Sequence, residues 1–277
     1  MNWLNYCTSF KDKLKSQYLK IMKKTCNLEN PKTLMEKIQW LKIYDSSFLK
    51  TYCADKISIH NYCEDKLGMD ICIPILEVYD NPNKIEWNKL PSKFVIKCNH
   101  GSAFNIIVKD KNKLNIKNTI DKLNKWLKID YSTRFYELHY HNIPHKILIE
   151  EYKENLGSLD LMDYKFYCFN GEPKFCQVIT DRHTNEKISH YDLNWNYSKI
   201  YDEYPYNSIP NIQKPKNLEL MIEYAKKLSN DFKFVRVDFY EINDTVYLGE
   251  LTFTPGAGYI KYRNSNIDLT LGEMLKL

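Results

Sequence analysis

The chain has 277 residues and a mass of 33.2 kDa, enough for one large domain or two compact lobes with a substantial buried core. Its 40 basic and 35 acidic side chains give a formal net charge of +5, which is compatible with an anionic ligand but lacks the dense basic patches of a nucleic-acid binder. The eight cysteines include no C-x-x-C pair, so neither a zinc ribbon nor a dithiol redox site is indicated.

The sequence contains no stretch typical of a membrane span or a secretion signal. Lys11, Asp12 and Lys13 interrupt the N-terminus before any long apolar run, and nowhere do eighteen apolar residues occur together. Scattered cysteines are typical of a reducing compartment. We therefore expect a soluble, cytoplasmic protein without a membrane span.

The first ninety residues are predicted to form a mostly helical N-terminal region. Apolar residues recur at helical spacing in LMEKIQWLKIY and in ADKISIHNYCEDKLG, and Gly68 is placed to end the second helix. A short strand, ICIPILEVY (71–79), follows. A polar link then leads to Pro91, where we predict the first domain boundary.

A small lobe is predicted over residues 91–152. The runs KFVIKC (93–98) and NIIVKD (105–110) read as strands joined by the loop NHGSAF. A helix is expected over residues 116–128, and KILIEEY (146–152) reads as the strand that leads out of this lobe.

The remaining residues, 153–277, are predicted to form a larger lobe. It begins with two β-rich runs (163–181) around Asn170-Gly171, a dipeptide typical of two-residue hairpin turns. An amphipathic helix is expected over residues 217–230, followed by a second hairpin and a short final helix. Because helices and mostly antiparallel strands occur in mixed order, the sequence predicts an α+β fold.

The second hairpin, VRVDFYEINDTVYLGELTF, carries acids where a half-buried sheet should not contain them. With a three-residue turn, NDT, Asp238 would lie opposite Glu250 and Arg236 opposite Thr252. Opposed carboxylates are destabilising unless a cation is present, and Mg²⁺ takes carboxylate and phosphate oxygens. The spacing therefore predicts a magnesium site, with incidental exposed acids paired to Arg236 as the alternative. Alternation would place three more side chains on the acidic face: Tyr240, Val246 and Leu248.

Lys97 lies near the end of a predicted strand, directly before a turn that contains Gly101. A lysine beside a glycine loop can reach phosphate oxygens, and the backbone N–H groups of the loop add donors. A lone lysine at a strand end is also common on solvated surfaces. The sequence contains neither G-x-x-x-x-G-K-[ST] nor G-x-G-x-x-G, which argues against a P-loop or a Rossmann turn.

Several distinctive segments occur in one order over roughly residues 35–277. They are EKIQWLKIYD, ADK, FVIKCNHGSAFNIIVKDK, LIEEY, DYKFYCFNGEPKF, DR at 181–182, FVRVDFY and GELTFTPGAG. Together they resemble the ATP-grasp superfamily, and closely its TupA-like branch, which is related to teichuronopeptide biosynthesis. The resemblance implies an ATP-grasp fold, in which two α+β lobes enclose an ATP cleft.

By this resemblance, three groups of residues would bind ATP: lysines that contact the phosphates, a mobile loop that closes over them, and a hinge strand beside the adenine. They are Lys97 and Lys165; Gly101, Ser102 and Ala103; and Glu150, Glu151 and Tyr152.

The resemblance also implies a metal site and catalytic cations. Asp238 and Glu250 would match the magnesium acids. Thr252 stands where such proteins usually have an asparagine, and because a hydroxyl is a poorer ligand than an amide oxygen, the number of Mg²⁺ ions, one or two, is left open. Arg182 and Arg236 are expected to hold the substrate carboxylate and the developing oxyanion.

The implied activity is that of an ADP-forming carboxylate–amine ligase. Such enzymes phosphorylate a carboxylate with ATP, and an amine then attacks the acyl phosphate to form an amide. The expected partners are ATP, an amine and a small-molecule or glycan carboxylate, either a uronic-acid sugar or an acidic amino acid in cell-surface polysaccharide or capsule biosynthesis.

Three other functions stay open. The same site could phosphorylate a sugar hydroxyl, or the fold could be a catalytically silent binding module. A metal-dependent glycosyltransferase is a further rival, although the sequence contains no D-x-D.

Overall fold

A computed structural model describes residues 3–154, 161–181, 185–199 and 201–277 of the chain, with the side chains of residues 10–264 and 266–277 within those ranges. These ranges contain seven α-helices. They are α1 (Trp3–Met22), α2 (Leu34–Tyr44), α3 (Phe48–Ala54), α4 (Ile59–Leu67), α5 (Ile116–Trp126), α6 (Leu218–Ser229) and α7 (Ser265–Met274). In the described part of the chain, no helix combines the length and the apolar character that a membrane crossing requires.

The smaller of two sheets has four antiparallel strands in the order β1-β4-β2-β3. The strands are β1 (Ile75–Tyr79), β2 (Phe94–Cys98), β3 (Asn105–Val108) and β4 (Ile147–Glu151). Strand β1, which lies within the predicted N-terminal region, therefore belongs to the sheet of the small lobe. The predicted domain boundaries, 1–90, 91–152 and 153–277, stay a prediction.

The larger sheet has five antiparallel strands in the order β7-β6-β5-β8-β9. The strands are β5 (Asp163–Phe169), β6 (Glu172–Thr180), β7 (Lys187–Asp192), β8 (Phe234–Ile242) and β9 (Thr245–Thr252). The predicted turn Asn170-Gly171 joins β5 to β6, and both of its residues have positive φ, 50° and 81°. Helices and two antiparallel sheets confirm the predicted α+β class.

Helices cover both faces of the larger sheet. On one face, α4 and α6 pack against a core that contains Phe166, Val237 and Phe239. On the other face, α1, α2 and α7 contact Tyr167 and Phe234. Because successive side chains of a strand point to opposite faces, β5 and β8 contribute to both cores.

The face covered by α1, α2 and α7 changes from aromatic to charged along the strands. Tyr167 lies opposite Arg236, and two residues closer to the small sheet Lys165 lies opposite Asp238. The aromatic end is buried in a core, whereas beyond the charged pair Asp163 and Tyr240 of the same strands line a pocket between the two sheets. A single alternation pattern therefore builds both the core and the candidate site.

The C-terminal hairpin pairs Asp238 with Glu250, as predicted. The predicted three-residue turn is wrong, because Ile242 pairs with Thr245 and only two residues, both with positive φ (50° and 64°), form the turn. A β-bulge at Gly249 in β9 supplies the extra residue that restores the register at the acids.

The bulge also changes which side chains of β9 are buried. Leu248 pairs with Phe239, and both belong to the core beneath α6. Val246 belongs to the same core. The prediction that Val246 and Leu248 share the face of the acids is therefore wrong, because the extra residue reverses the alternation between Leu248 and Glu250.

Helix α2 fixes the backbone of the loop 255–258, which follows β9. The last three residues of this loop have positive φ values of 53°, 51° and 72°. The side-chain amide of Gln39 donates a hydrogen bond to the carbonyl oxygen of Gly258 (2.8 Å), and the ammonium of Lys42 donates to that of Ala257 (2.6 Å). The N-terminal region therefore sets the conformation of a loop in the larger lobe.

Gly258→Ala should destabilise the protein more than Gly68→Ala. Both glycines have similar φ values, 72° and 74°, but an added Cβ at Gly68 would meet nothing within 4 Å, whereas at Gly258 it would collide with Gln39 and Ile38. We expect Gly68→Ala to lower the free energy of unfolding by about 1 kcal/mol. Gly258→Ala should lower it by about 2 kcal/mol more, because the collision forces local repacking. Chemical denaturation measures both losses, and equal losses would contradict the tight contact.

Candidate active site

The candidate site occupies the cleft between the two sheets. An interlobe pocket, as we name it, is lined by Lys97 and Glu150 from the small sheet and by Asp163 and Tyr240 from the larger sheet. The predicted hinge residues Glu151 and Tyr152 line the same pocket. The fold thus brings the predicted phosphate-binding lysine and the predicted hinge strand into one cavity.

Lys97 and Glu150 form an ion pair in this pocket. The Lys97 Nζ lies 2.5 Å from Glu150 Oε2, and the side chains are 22% and 7% exposed. Lys97 lies opposite Leu148 in the ladder between β2 and β4, while Glu150 lies opposite Val95, so the pair is diagonal across two neighbouring strands. The carboxylate orients an ammonium group that remains accessible to a ligand.

The predicted mobile loop, residues 101–103, follows β2. Its residue Ser102 lines a second pocket, which also contains Arg236 and Glu250. Ser102 and Ala103 are exposed, whereas Gly101 is buried. A Cβ at Gly101 would lie 2.7 Å from the ring of Tyr131 and 2.9 Å from that of Phe104, so this position accepts only glycine without repacking.

Asp238 is neutralised by two cations of the protein. Arg236 binds both of its carboxylate oxygens at 2.7 Å, and Lys165 Nζ lies 2.5 Å from Asp238 Oδ2. Lys165 also lies 3.5 Å from Asp163. The opposition of two acids in the hairpin therefore does not by itself require a metal ion, contrary to the expectation from the sequence.

Glu250 is the more open of the two opposed acids. The Thr252 hydroxyl donates to its Oε1 at 2.9 Å, and Arg236 Nη2 lies 3.7 Å from the same oxygen. Within the described ranges, Glu250 Oε2 accepts no hydrogen bond, and 40% of the side chain is exposed. This oxygen is therefore available to a ligand.

Nearby cations keep Glu250 ionised. Its partial burial in the cleft raises the pKa, but the charges of Lys165, Lys56 and Arg236 outweigh that effect and lower the pKa to about 2. Burial acts to lower the pKa of Arg236, but the neighbouring carboxylate of Asp238 more than compensates, so this pKa is raised well above its ordinary value. Glu250 and Arg236 are thus both charged at neutral pH.

The charged cluster, by which we mean Lys165, Arg236, Asp238, Glu250 and Thr252, contains oxygen donors that suit a magnesium ion. Asp238, Glu250 and Thr252 offer only oxygen atoms, which is what Mg²⁺ prefers. Glu250 Oε2 is open, while both oxygens of Asp238 already accept hydrogen bonds from Arg236. A carboxylate oxygen accepts more than one hydrogen bond or ligand, so the set fits the ion, with Glu250 as the better placed donor.

The second pocket adjoins the cluster. It is lined by Arg236, Glu250 and Thr252 from the hairpin and by Ser102 of the mobile loop. The remaining lining comes from the segment that precedes β4 and from the chain that follows β9. These residues are Tyr131, Arg134, Phe135, Glu137 and Tyr140 from the former, and Thr254, Gly256 and Ala257 from the latter.

Lys56, which lies between α3 and α4, is a site residue that the sequence did not reveal. Its ammonium donates to the Gly101 carbonyl oxygen at 2.6 Å, and it lines a cavity that Lys97, Glu150 and Glu250 also line. Burial lowers its pKa, which Glu250 partly offsets. The ADK segment contains this lysine, but a single lysine after a helix carries no pattern that reveals its position.

All but one of the predicted site residues lie within the described part of the chain. Ten of the others line the interlobe pocket or the second pocket or belong to the charged cluster, and Gly101 and Ala103 lie in the loop between them. Arg182 lies outside the described residues, so its expected role stays a prediction.

The charge cluster can be tested by a double-mutant cycle. Lys165→Met should lower the free energy of unfolding by about 3 kcal/mol, because it leaves buried Asp238 with one cation instead of two. The double variant Lys165→Met/Asp238→Asn should lose less than the sum of the single losses. Lys227→Met is the control, since it removes an exposed pair with Glu223 and should cost less than about 1 kcal/mol. Additive losses in denaturation experiments would refute the coupling.

Comparisons with known proteins identify the family. Similar solved structures include the D-alanine–D-alanine ligase of Bacillus anthracis complexed with ATP (14% identity, TM-score 0.44, covering 73% of this chain and 55% of that one) and that of Helicobacter pylori (19%, 0.44, 81% and 61%). The chain thus spans less than two thirds of the length of these structures. None of the curated proteins is significantly similar in sequence. The family model described as TupA-like ATPgrasp matches residues 36–276, and the chain therefore belongs to the TupA-like ATP-grasp family.

Proposed function

We propose that the protein is an ADP-forming carboxylate–amine ligase. The γ-phosphoryl group of ATP would pass to a carboxylate oxygen, which releases ADP. The amine nitrogen would then attack the acyl carbon, expel phosphate and lose a proton to give an amide. The observation that supports this function best is that Glu250 lines both the second pocket and the cavity that Lys56 and Lys97 line, so a triphosphate and a carboxylate could meet beside it.

The interlobe pocket is our proposed site for ATP. The partly exposed ammonium of Lys97 would contact the phosphates, and Gly101, Ser102 and Ala103 would cover them. Lys165 is a less direct contact, because Asp163 and Asp238 hold its ammonium. The hinge strand, Glu150, Glu151 and Tyr152, lines the same pocket and would hold the adenine.

Magnesium would be held by Asp238, Glu250 and Thr252. When bound, the ion would neutralise phosphate oxygens and so lower the barrier to phosphoryl transfer. The protein's own cations contribute to the same neutralisation, because Lys97 and Lys56 flank the cavity next to Glu250 and favour the binding of an anion there.

The second pocket would bind the carboxylate substrate. Arg236 lines it and would stabilise the negative charge that develops on the substrate oxygen, and Arg182 is proposed for the same role. Membership of the TupA-like family supports a substrate from cell-surface polysaccharide or capsule biosynthesis, either a uronic-acid sugar or an acidic amino acid. We propose a cytoplasmic location on the same ground.

Product analysis tests the proposal. The protein is incubated with Mg·ATP and a panel of uronic acids, acidic amino acids and amines, while ADP release and product mass are followed. We expect an amide product in amounts equal to ADP. A phosphorylated sugar without amide would instead identify a kinase, and failure to bind Mg·ATP would identify a silent binding module.

Variants of the hairpin provide the matched test. Glu250→Gln and Asp238→Asn should each reduce turnover at least about 100-fold, because each removes a negative charge that would hold the magnesium ion against the phosphates. Asp244→Asn is the control, since this acid lies in the turn of the same hairpin and pairs with Lys216 outside the cleft. Circular dichroism verifies that each variant is folded. Undiminished turnover in Glu250→Gln would contradict the assignment.

A further inference from the structure

The second pocket contains an arginine that the charged cluster does not use. Arg134 lies in the segment between α5 and β4, is exposed, and forms no ion pair with any described residue. Its guanidinium lies 5.2 Å from the ring centre of Phe135, which holds it by a cation–π contact. Arg236, in contrast, is committed to Asp238 and Thr252. Arg134 therefore offers the donors that an incoming anion can use.

The acid nearest to Arg134 in sequence is directed elsewhere. Glu137 is buried and accepts a hydrogen bond from the Thr254 hydroxyl at 2.5 Å. Burial raises the pKa of Glu137, and Lys42 and Arg134 act against that shift. The carboxylate of Glu137 is thus engaged with Thr254, while the Arg134 guanidinium stays open to the pocket.

Aromatic side chains form much of the wall around Arg134. Tyr131, Phe135 and Tyr140 line the pocket, and the rings of Tyr131 and Tyr140 meet edge to face at 5.0 Å. The hydroxyl groups of Ser102 and Thr252 lie on the same pocket. Flat apolar surfaces interrupted by a few hydroxyl groups complement a sugar ring, which has apolar C–H faces and polar edges.

We propose that Arg134 binds the carboxylate of a hexuronic acid and that it determines the specificity of the second pocket. Guanidinium groups bind carboxylates through two parallel hydrogen bonds, which a lysine cannot reproduce. This inference rests on the proposed ligase function and narrows it, since the aromatic wall favours a ring-bearing acid over an acidic amino acid.

Binding measurements on the full chain test the inference without a complete reaction. Calorimetry in the presence of magnesium and a non-hydrolysable ATP analogue compares D-glucuronate, D-galacturonate, D-glucose and L-glutamate. We expect one or both uronates to bind, and glucose and glutamate to bind at least about 10-fold more weakly, a difference of about 1.4 kcal/mol.

Variants of Arg134 separate specificity from structure. Arg134→Gln should weaken uronate binding at least about 10-fold and Arg134→Lys should recover part of the loss, while both leave the affinity for the ATP analogue unchanged. Lys128→Gln removes an exposed charge from the same segment and is the control. Unchanged uronate affinity in Arg134→Gln, preference for glutamate, or no uronate binding by the wild type would each overturn the inference. If the wild-type protein does not bind the ATP analogue at all, the ligase proposal is refuted instead.

Discussion

The arrangement of the site depends on the compensation of buried charge between β5, β8 and β9. Asp238 lies between Lys165 and Arg236, and Arg236 extends to Thr252 and towards Glu250. Removing such groups from water is costly unless each finds a partner of opposite charge. The strand ladder supplies these partners, because Lys165 lies opposite Asp238 and Arg236 reaches both Asp238 and Glu250. The same arrangement leaves Glu250 Oε2 open, so one cluster both compensates buried charge and offers an oxygen atom to a ligand.

The elements with strong local signals could be predicted from the sequence. The turn at Asn170-Gly171 and the helix α6 follow from turn chemistry and periodicity, which are local properties. The bulge at Gly249 has one local signal, a glycine inside a strand-like run, but this signal alone does not fix how the register shifts. The pairing of Asp238 with Glu250 is therefore predicted correctly, although the predicted turn is one residue too long and Val246 and Leu248 are placed on the wrong face.

Residues that reach the site from distant segments are the ones that sequence reasoning misses. Lys97, Asp238 and Glu250 stand in strands with recognisable strings, whereas Lys56 and Arg134 lie between helices or in an irregular segment. Long-range packing brings them to the site. Lys56 donates a hydrogen bond to the Gly101 carbonyl oxygen, and Arg134 lines a pocket together with residues of the C-terminal hairpin. Such contacts connect residues with no regular spacing.

The contacts of α2 have a consequence for how the protein can be divided. Gln39 and Lys42 set the backbone of the loop 255–258, and Lys56 ties the N-terminal helices to the glycine loop of the small lobe. The helical N-terminal region is thus structurally continuous with the cleft and is no detachable appendage. A chimera with this region from another protein would lack the side chains that hold the loop 255–258 and the glycine loop. Residues on both sides of its pockets would then be misplaced.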